Sequence, residues 1–202
     1  MIYKQKKDWL FVLIHTPWYI YLSMALLLFI TLRVLLYFPE AEKICSEELF
    51  IFFRQNDWIV LLFMLPISLN LTHRYRRNRF FKINKTISDM YKMNWQQYEI
   101  FISELFRKHG YKVEENPKSG KDGGVDLRLR KDKKKYVVQI KHHKSKVSAP
   151  VVQQILGCMF DIKEKADGAK VVALKGFTRD AKNFAKGNPI ELINAYDIVN
   201  MI

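Results

Sequence analysis

Hydrophobic positions along this chain change regime near residue 93. Before it the apolar residues run together. "WYIYLSMALLLFITLRVLLYF", residues 18–38, holds a single charge, Arg33, in 21 positions, long enough to cross a bilayer core of roughly 30 Å as a helix. Trp18, Tyr19, Tyr21 and Tyr37 stand where interfacial aromatic anchors belong, and Arg33 is close enough to one end to snorkel. A second apolar stretch, residues 49–71, is interrupted by Arg54, Gln55, Asn56 and Asp57 and is read as a second crossing. Lys4, Lys6 and Lys7 precede the first span, Arg74, Arg76, Arg77 and Arg79 follow the second, and the connecting "PEAEKICSEE" is acidic. The excess of positive charge on cytoplasmic flanks then predicts a two-pass anchor over residues 1–72 in the inner (cytoplasmic) membrane, with both termini in the cytoplasm and the lipid bilayer as a partner. Residues 73–92, with seven Lys and Arg, read as a basic juxtamembrane linker able to touch anionic headgroups.

From residue 93 to 202 the pattern is that of a folded domain. Asn94 with Gln97 three positions on is a capping box. Trp95, Tyr98, Phe101, Ile102, Leu105 and Phe106 then recur at helical spacing up to a closing Gly110. Glu99 falls about 40° from Trp95 and about 20° from Phe106 on the helical wheel, at the flank of the apolar stripe. A short strand, 111–115, and a loop, "KSGKDGG", lead into "GGVDLRLRKDKKKYVVQIKHH". Closing this stretch as a hairpin around "KDKK" sets Arg130 opposite Lys135, Arg128 opposite Val137 and Asp126 opposite Gln139. One face then carries Val125, Leu127, Leu129, Tyr136, Val138 and Ile140, and the other carries Asp126, Gln139 and Lys141 together at one end. A helix from about 150 to 165, an apolar strand 169–174, a helix 179–186 capped by Thr178, a strand "IELIN" and a terminal helix complete the order α-β-β-β-α-β-α-β-α. That order predicts an α/β fold with a mixed sheet and helices on both faces.

Charge sharpens the division. The net charge is +14, yet the first 72 residues hold six basic and six acidic side chains, and the remainder holds 28 and 14. A soluble half this basic points to an anionic partner, nucleic acid or a membrane surface. Cys45 and Cys158 form neither a disulfide framework nor a zinc motif, which fits a reduced compartment.

An Asp and a second oxygen donor on adjacent strands suit Mg²⁺, a hard ion that prefers oxygen ligands. Gln139 offers only a neutral carbonyl oxygen, and the backbone carbonyl of Ile140 could add another. A lysine on the same face can orient a water for attack on a phosphodiester. His142, Lys144 and Lys146 extend the strand outward, where cations would meet DNA phosphates.

Six ordered segments, "WQQYEIFISELFRKHGY", "SGKDGGVDL", "VVQIKHHKSKVS", "VVQQILGCM", "GFTRDAKNFA" and "IELINAYDIV", resemble the Mrr-like restriction endonuclease domain, a branch of the PD-(D/E)xK nuclease superfamily. The resemblance implies a restriction-endonuclease-like mixed sheet. It implies Asp126 as metal ligand, Gln139 as second site residue, Lys141 as catalytic lysine, Glu99 as an accessory acid and Gln154 as a polar helix residue facing the same site. Gln139 stands where most of the superfamily has Glu, although Gln is usual in this branch. The resemblance implies a Mg²⁺-dependent DNA endonuclease of type IV restriction kind, with Mn²⁺ as substitute metal, acting in restriction and defence from the membrane. A homodimer would bring together the two active sites needed to cut both strands. The alternatives are a catalytically inactive DNA-binding membrane tether and a structure-specific DNA repair nuclease.

Overall fold

The computed structural model describes residues 16–37, 51, 64–116, 124–142, 145–160 and 165–202. These form two compact units, with the boundary between Arg76 and Arg77.

In the first unit, helix α1 spans Trp18–Tyr37, where a helix is expected. The second helix, α2, is Met64–Ile83. Only its first eight residues fall within the predicted second span, and residues 52–63 of that span lie outside the described residues. The rest of α2 runs through the basic stretch. Among the described residues no helix is long and apolar enough to cross a membrane, which overturns the two-pass inner-membrane reading. The physical reason lies in the side chains that interrupt both helices. In α1 the polar Ser23, Thr31 and Arg33 stand within the helix, the two hydroxyls donating to the Ile20 and Leu27 carbonyls. In α2, Arg74, Arg76, Arg77 and Arg79 occupy the C-terminal half.

The second unit begins with the end of α2, followed by α3 (Ile87–Lys92) and α4 (Trp95–Lys108). Both helices start with reciprocal capping boxes, Thr86 with Asp89 and Asn94 with Gln97, which satisfy backbone N–H groups that the first turn leaves without partners. Strands β1 (Lys112–Glu115), β2 (Leu127–Lys131) and β3 (Lys134–Lys141) follow. Next come α5 (Ala149–Met159), β4 (Gly168–Ala173), α6 (Arg179–Lys186), β5 (Ile190–Asn194) and α7 (Ala195–Asn200).

The strands form one sheet in the order β1-β2-β3-β4-β5. The pairs β1–β2 and β2–β3 are antiparallel, and β3–β4 and β4–β5 are parallel. This is the predicted mixed α/β sheet, with β3 central where the two pairing modes meet. Each face has its own apolar layer. On one side α4, α3 and α7 bury Tyr98, Phe101, Ile102, Leu105, Met90 and Ile198 against Leu127, Leu129, Val138, Ile140 and Val172. On the other, α5 and α6 bury Val152, Ile155, Ala181 and Ala185 against Val137, Ala169 and Val171. Each fully buried Leu, Ile or Phe contributes about 1.5–3 kcal/mol. Trp95, expected within the stripe of α4, is 41% exposed at the first turn.

The β2–β3 hairpin keeps the predicted register, Arg130 opposite Lys135 and Arg128 opposite Val137, and extends it to Lys131 opposite Lys134. Asp132 and Lys133 form the two-residue turn with φ of 51° and 65°, both left-handed, as hairpin turns matching strand twist require.

Candidate active site

The hairpin's other end departs from the simple ladder. Leu127 pairs with Val138, and the Asp126 amide also donates to the Val138 carbonyl, at 2.8 Å. Two residues thus oppose one, as in a β-bulge. The step turns Val125 to the opposite face, where it packs with Val137 rather than with Leu127. It also removes the expected direct pairing of Asp126 with Gln139. Instead, Asp126 Oδ2 accepts a hydrogen bond from the Ile140 amide at 2.6 Å. A side chain takes the place of a strand carbonyl, so the carboxylate is fixed at the end of β3.

Asp126, Gln139, Lys141 and Glu99 converge there. Asp126 is buried, and burial pushes its carboxyl up, opposed by the Ile140 amide and the Lys141 ammonium. Glu99 reaches the same region from α4. Burial, and then repulsion from Asp126 and Glu115, push its carboxyl up to about 8. A carboxyl raised by burial and by a neighbouring carboxylate is poised to share a cation with it. Gln139 is 1% exposed, and its Oε1 is buried and accepts no hydrogen bond among the described residues. A vacant buried acceptor on the strand that also carries Lys141 fits a hard metal ion, since a buried oxygen otherwise costs free energy. Among the described residues no three His, Cys, Asp or Glu side chains cluster for a metal, so a donor set drawn from them would include neutral oxygens.

Gly124, at φ 93°, opens the site. A Cβ there would stand 2.5 Å from Gln139 Nε2 and 3.6 Å from Gln154 Nε2. Gln154 of α5 therefore does approach the Gln139 amide, although its side chain is exposed. Ile140 enters through its amide. His142 donates from Nε2 to the Met90 carbonyl at 3.0 Å and lies 4.8 Å from the Tyr98 ring, so it is tied to α3. Lys146 is exposed, and Lys144 lies outside the described residues.

Several participants give little sequence signal. Asn116 is buried; its amide donates to the Asp126 carbonyl at 3.0 Å and its Nδ2 to the Val125 carbonyl at 2.9 Å. An Asn ahead of a Pro reads as loop, and only the fold reveals its partners. Arg77, counted above as flanking charge, is buried in ion pairs with Glu104 at 2.8 Å and with Glu115. Arg107 pairs with the same two acids at 2.6 and 2.9 Å, and the Ser103 hydroxyl donates to Glu115.

The sequence is 35% identical over 95 residues to the uncharacterized protein y4cE of Sinorhizobium fredii (strain NBRC 101917 / NGR234), covering 44% of this chain and 24% of that protein. Two solved structures are similar. One is the DNA modification-dependent restriction endonuclease AspBHI, with 18% identity, a TM-score of 0.44 and coverage of 62% of this chain and 34% of that one. The other is the MspJI restriction endonuclease in complex with a 27-mer oligonucleotide, with 20% identity, a TM-score of 0.37 and coverage of 63% and 30%. The chain spans well under half the length of each of these proteins. The restriction endonuclease model of the Mrr catalytic type matches residues 90–202, a stretch that holds the whole sheet and every side chain converging at the end of β3; the chain belongs to that restriction endonuclease family.

Proposed function

We propose that the unit from Arg77 onward is a divalent-metal-dependent endonuclease that hydrolyses DNA phosphodiester bonds, acting in restriction of foreign DNA. The observation that carries this reading is the meeting of Asp126, Glu99 and the vacant Gln139 oxygen with Lys141 at the end of β3. Asp126, Gln139 Oε1 and the Ile140 carbonyl would hold Mg²⁺, or Mn²⁺ in its place, with Glu99 as the accessory acid. When bound, the metal supplies Lewis-acid stabilisation of charge developing on the phosphoryl oxygens.

The chain's own groups do the rest. Lys141, whose charge Asp126 feels, is placed to orient the attacking water and to meet the anionic phosphate. The Ile140 amide keeps the Asp126 carboxylate from rotating away. Gln154 stands beside the Gln139 amide and can hold its orientation. The basic surface, with Lys146 exposed next to the site strand, would bind phosphates irrespective of base sequence, so affinity should fall steeply with salt.

The test uses the 202-residue chain with supercoiled plasmid, methylated and unmethylated, in Mg²⁺, Mn²⁺ or EDTA. Metal-dependent nicking is expected, and Asp126→Ala or Lys141→Ala should each reduce it on the order of a hundredfold or more while the protein stays folded. Salt-sensitive DNA binding without cleavage in either metal would refute the nuclease reading and leave a DNA-binding module.

A further inference from the structure

The backbone beneath Asp126 is held from β1 rather than from its own hairpin alone. At the end of β1, Asn116 is 6% exposed, and both of its donors go to consecutive carbonyls, Val125 at 2.9 Å and Asp126 at 3.0 Å. With so little water access, losing the Nδ2 donor would leave the Val125 carbonyl without that partner. The preceding residue, Glu115, is tied to α4: its Oε1 accepts from Ser103 at 3.0 Å and from Arg107 at 2.9 Å. Helix α4 carries Glu99. The dipeptide 115–116 therefore links the backbone of one site acid to the helix of the other. The bulge makes Asp126 share the Val138 carbonyl rather than pair with its own residue on β3, so the contacts from Asn116 on the β1 side carry more of its placement.

We propose that Asn116 is a positioning residue of the nuclease site: its two hydrogen bonds to the Val125 and Asp126 carbonyls hold the bulge that aims the Asp126 carboxylate at the end of β3. The catalytic part of this inference rests on the nuclease reading above; the bracing part does not.

The experiment compares the 202-residue wild type with Asn116→Ala and with the near-isosteric Asn116→Asp, which removes the Nδ2 donor while keeping size. Hydrogen exchange at the Asp126 and Ile140 amides is measured in EDTA, and plasmid nicking is measured with Mg²⁺. Both variants should speed exchange of these two amides on the order of tenfold or more, with Val171 and Val172 of β4 unchanged. Nicking should lose on the order of tenfold to a hundredfold in kcat with KM nearly constant, as expected for a misplaced reacting group. Three results would overturn the proposal: unchanged exchange at Asp126 and Ile140, faster exchange across the whole sheet, or local loosening with kcat intact. If wild type itself fails to cut DNA, the nuclease reading falls, and the exchange data alone decide whether Asn116 braces the bulge.

Discussion

Glu99 is half-buried in α4, faces Asp126, and titrates near 8 rather than in the ordinary carboxylate range. The folded chain therefore favours its neutral form. A carboxyl whose folded pKa lies above its unfolded value contributes stability that is complete at low pH and is lost as pH rises through the folded value. In EDTA, thermal stability should thus decline from about pH 4.5, the ordinary value of the unfolded chain, to about pH 8. Glu99→Gln stays neutral throughout, so its melting temperature should fall less over that window. A thermal-melt series across pH would show it, and parallel curves for the two proteins would contradict the assignment. Asp126 is shifted in the same direction, so part of the decline should survive the substitution.

At the scale of elements, the approach to β2 matters more than its length suggests. Gly124 has φ 93°, a conformation that costs an L-residue about 1–2 kcal/mol, and the added Cβ would displace the Gln139 amide. Gly124→Ala should lower the unfolding free energy by about 1–2 kcal/mol in a denaturant titration. It should also depress nicking out of proportion to that loss, because Gln139 cannot keep its place. Activity at the wild-type level in a folded Gly124→Ala protein would show that the Gln139 amide needs no fixed position. The turn at the hairpin's other end, Asp132 and Lys133, adopts left-handed backbone without glycine; it sets the register that brings Gln139 and Lys141 to the site.

At the scale of the whole molecule, the unit that folds is larger than the family match. It starts at Arg77, upstream of residue 90. Arg77 lies in ion pairs with Glu104 and Glu115, and Phe81 stacks on Phe101 at 4.9 Å. Burial opposes the Arg77 charge, but bonding and attraction to Glu115 and Glu104 outweigh it and raise its pKa. Removing this segment leaves Glu104 and Glu115 with Arg107 alone and takes Phe81 from its stack on Phe101, at a combined cost of about 3 kcal/mol or more. A fragment of residues 89–202 should therefore be less stable than one of 64–202 by at least about 3 kcal/mol. Equal midpoints in urea for the two fragments would show that the end of α2 is dispensable.

The sequence by itself determined the element order from residue 94 onward, the caps at Asn94 and Thr178, the hairpin register from Arg128 to Lys135 and the candidates Asp126, Gln139 and Lys141. These follow from local rules: side-chain periodicity, capping chemistry and the two-residue repeat of a strand act over a few positions. It also placed Glu99 at the flank of its helix, where it meets the site. Local rules failed where distant segments decide. An apolar run does not reveal where its helix ends, so α2, Met64–Ile83, carries four arginines that were expected beyond a membrane span. Only the tertiary structure put Arg77 among acids from α4 and β1, tied His142 to the Met90 carbonyl, and turned Val125 to the far face through the extra residue at Asp126. The same is true of Asn116, whose partners are nine and ten residues further along the chain. Each of these depends on which buried polar groups find a partner once the layers close, a condition set by the packed molecule rather than by any stretch of its chain.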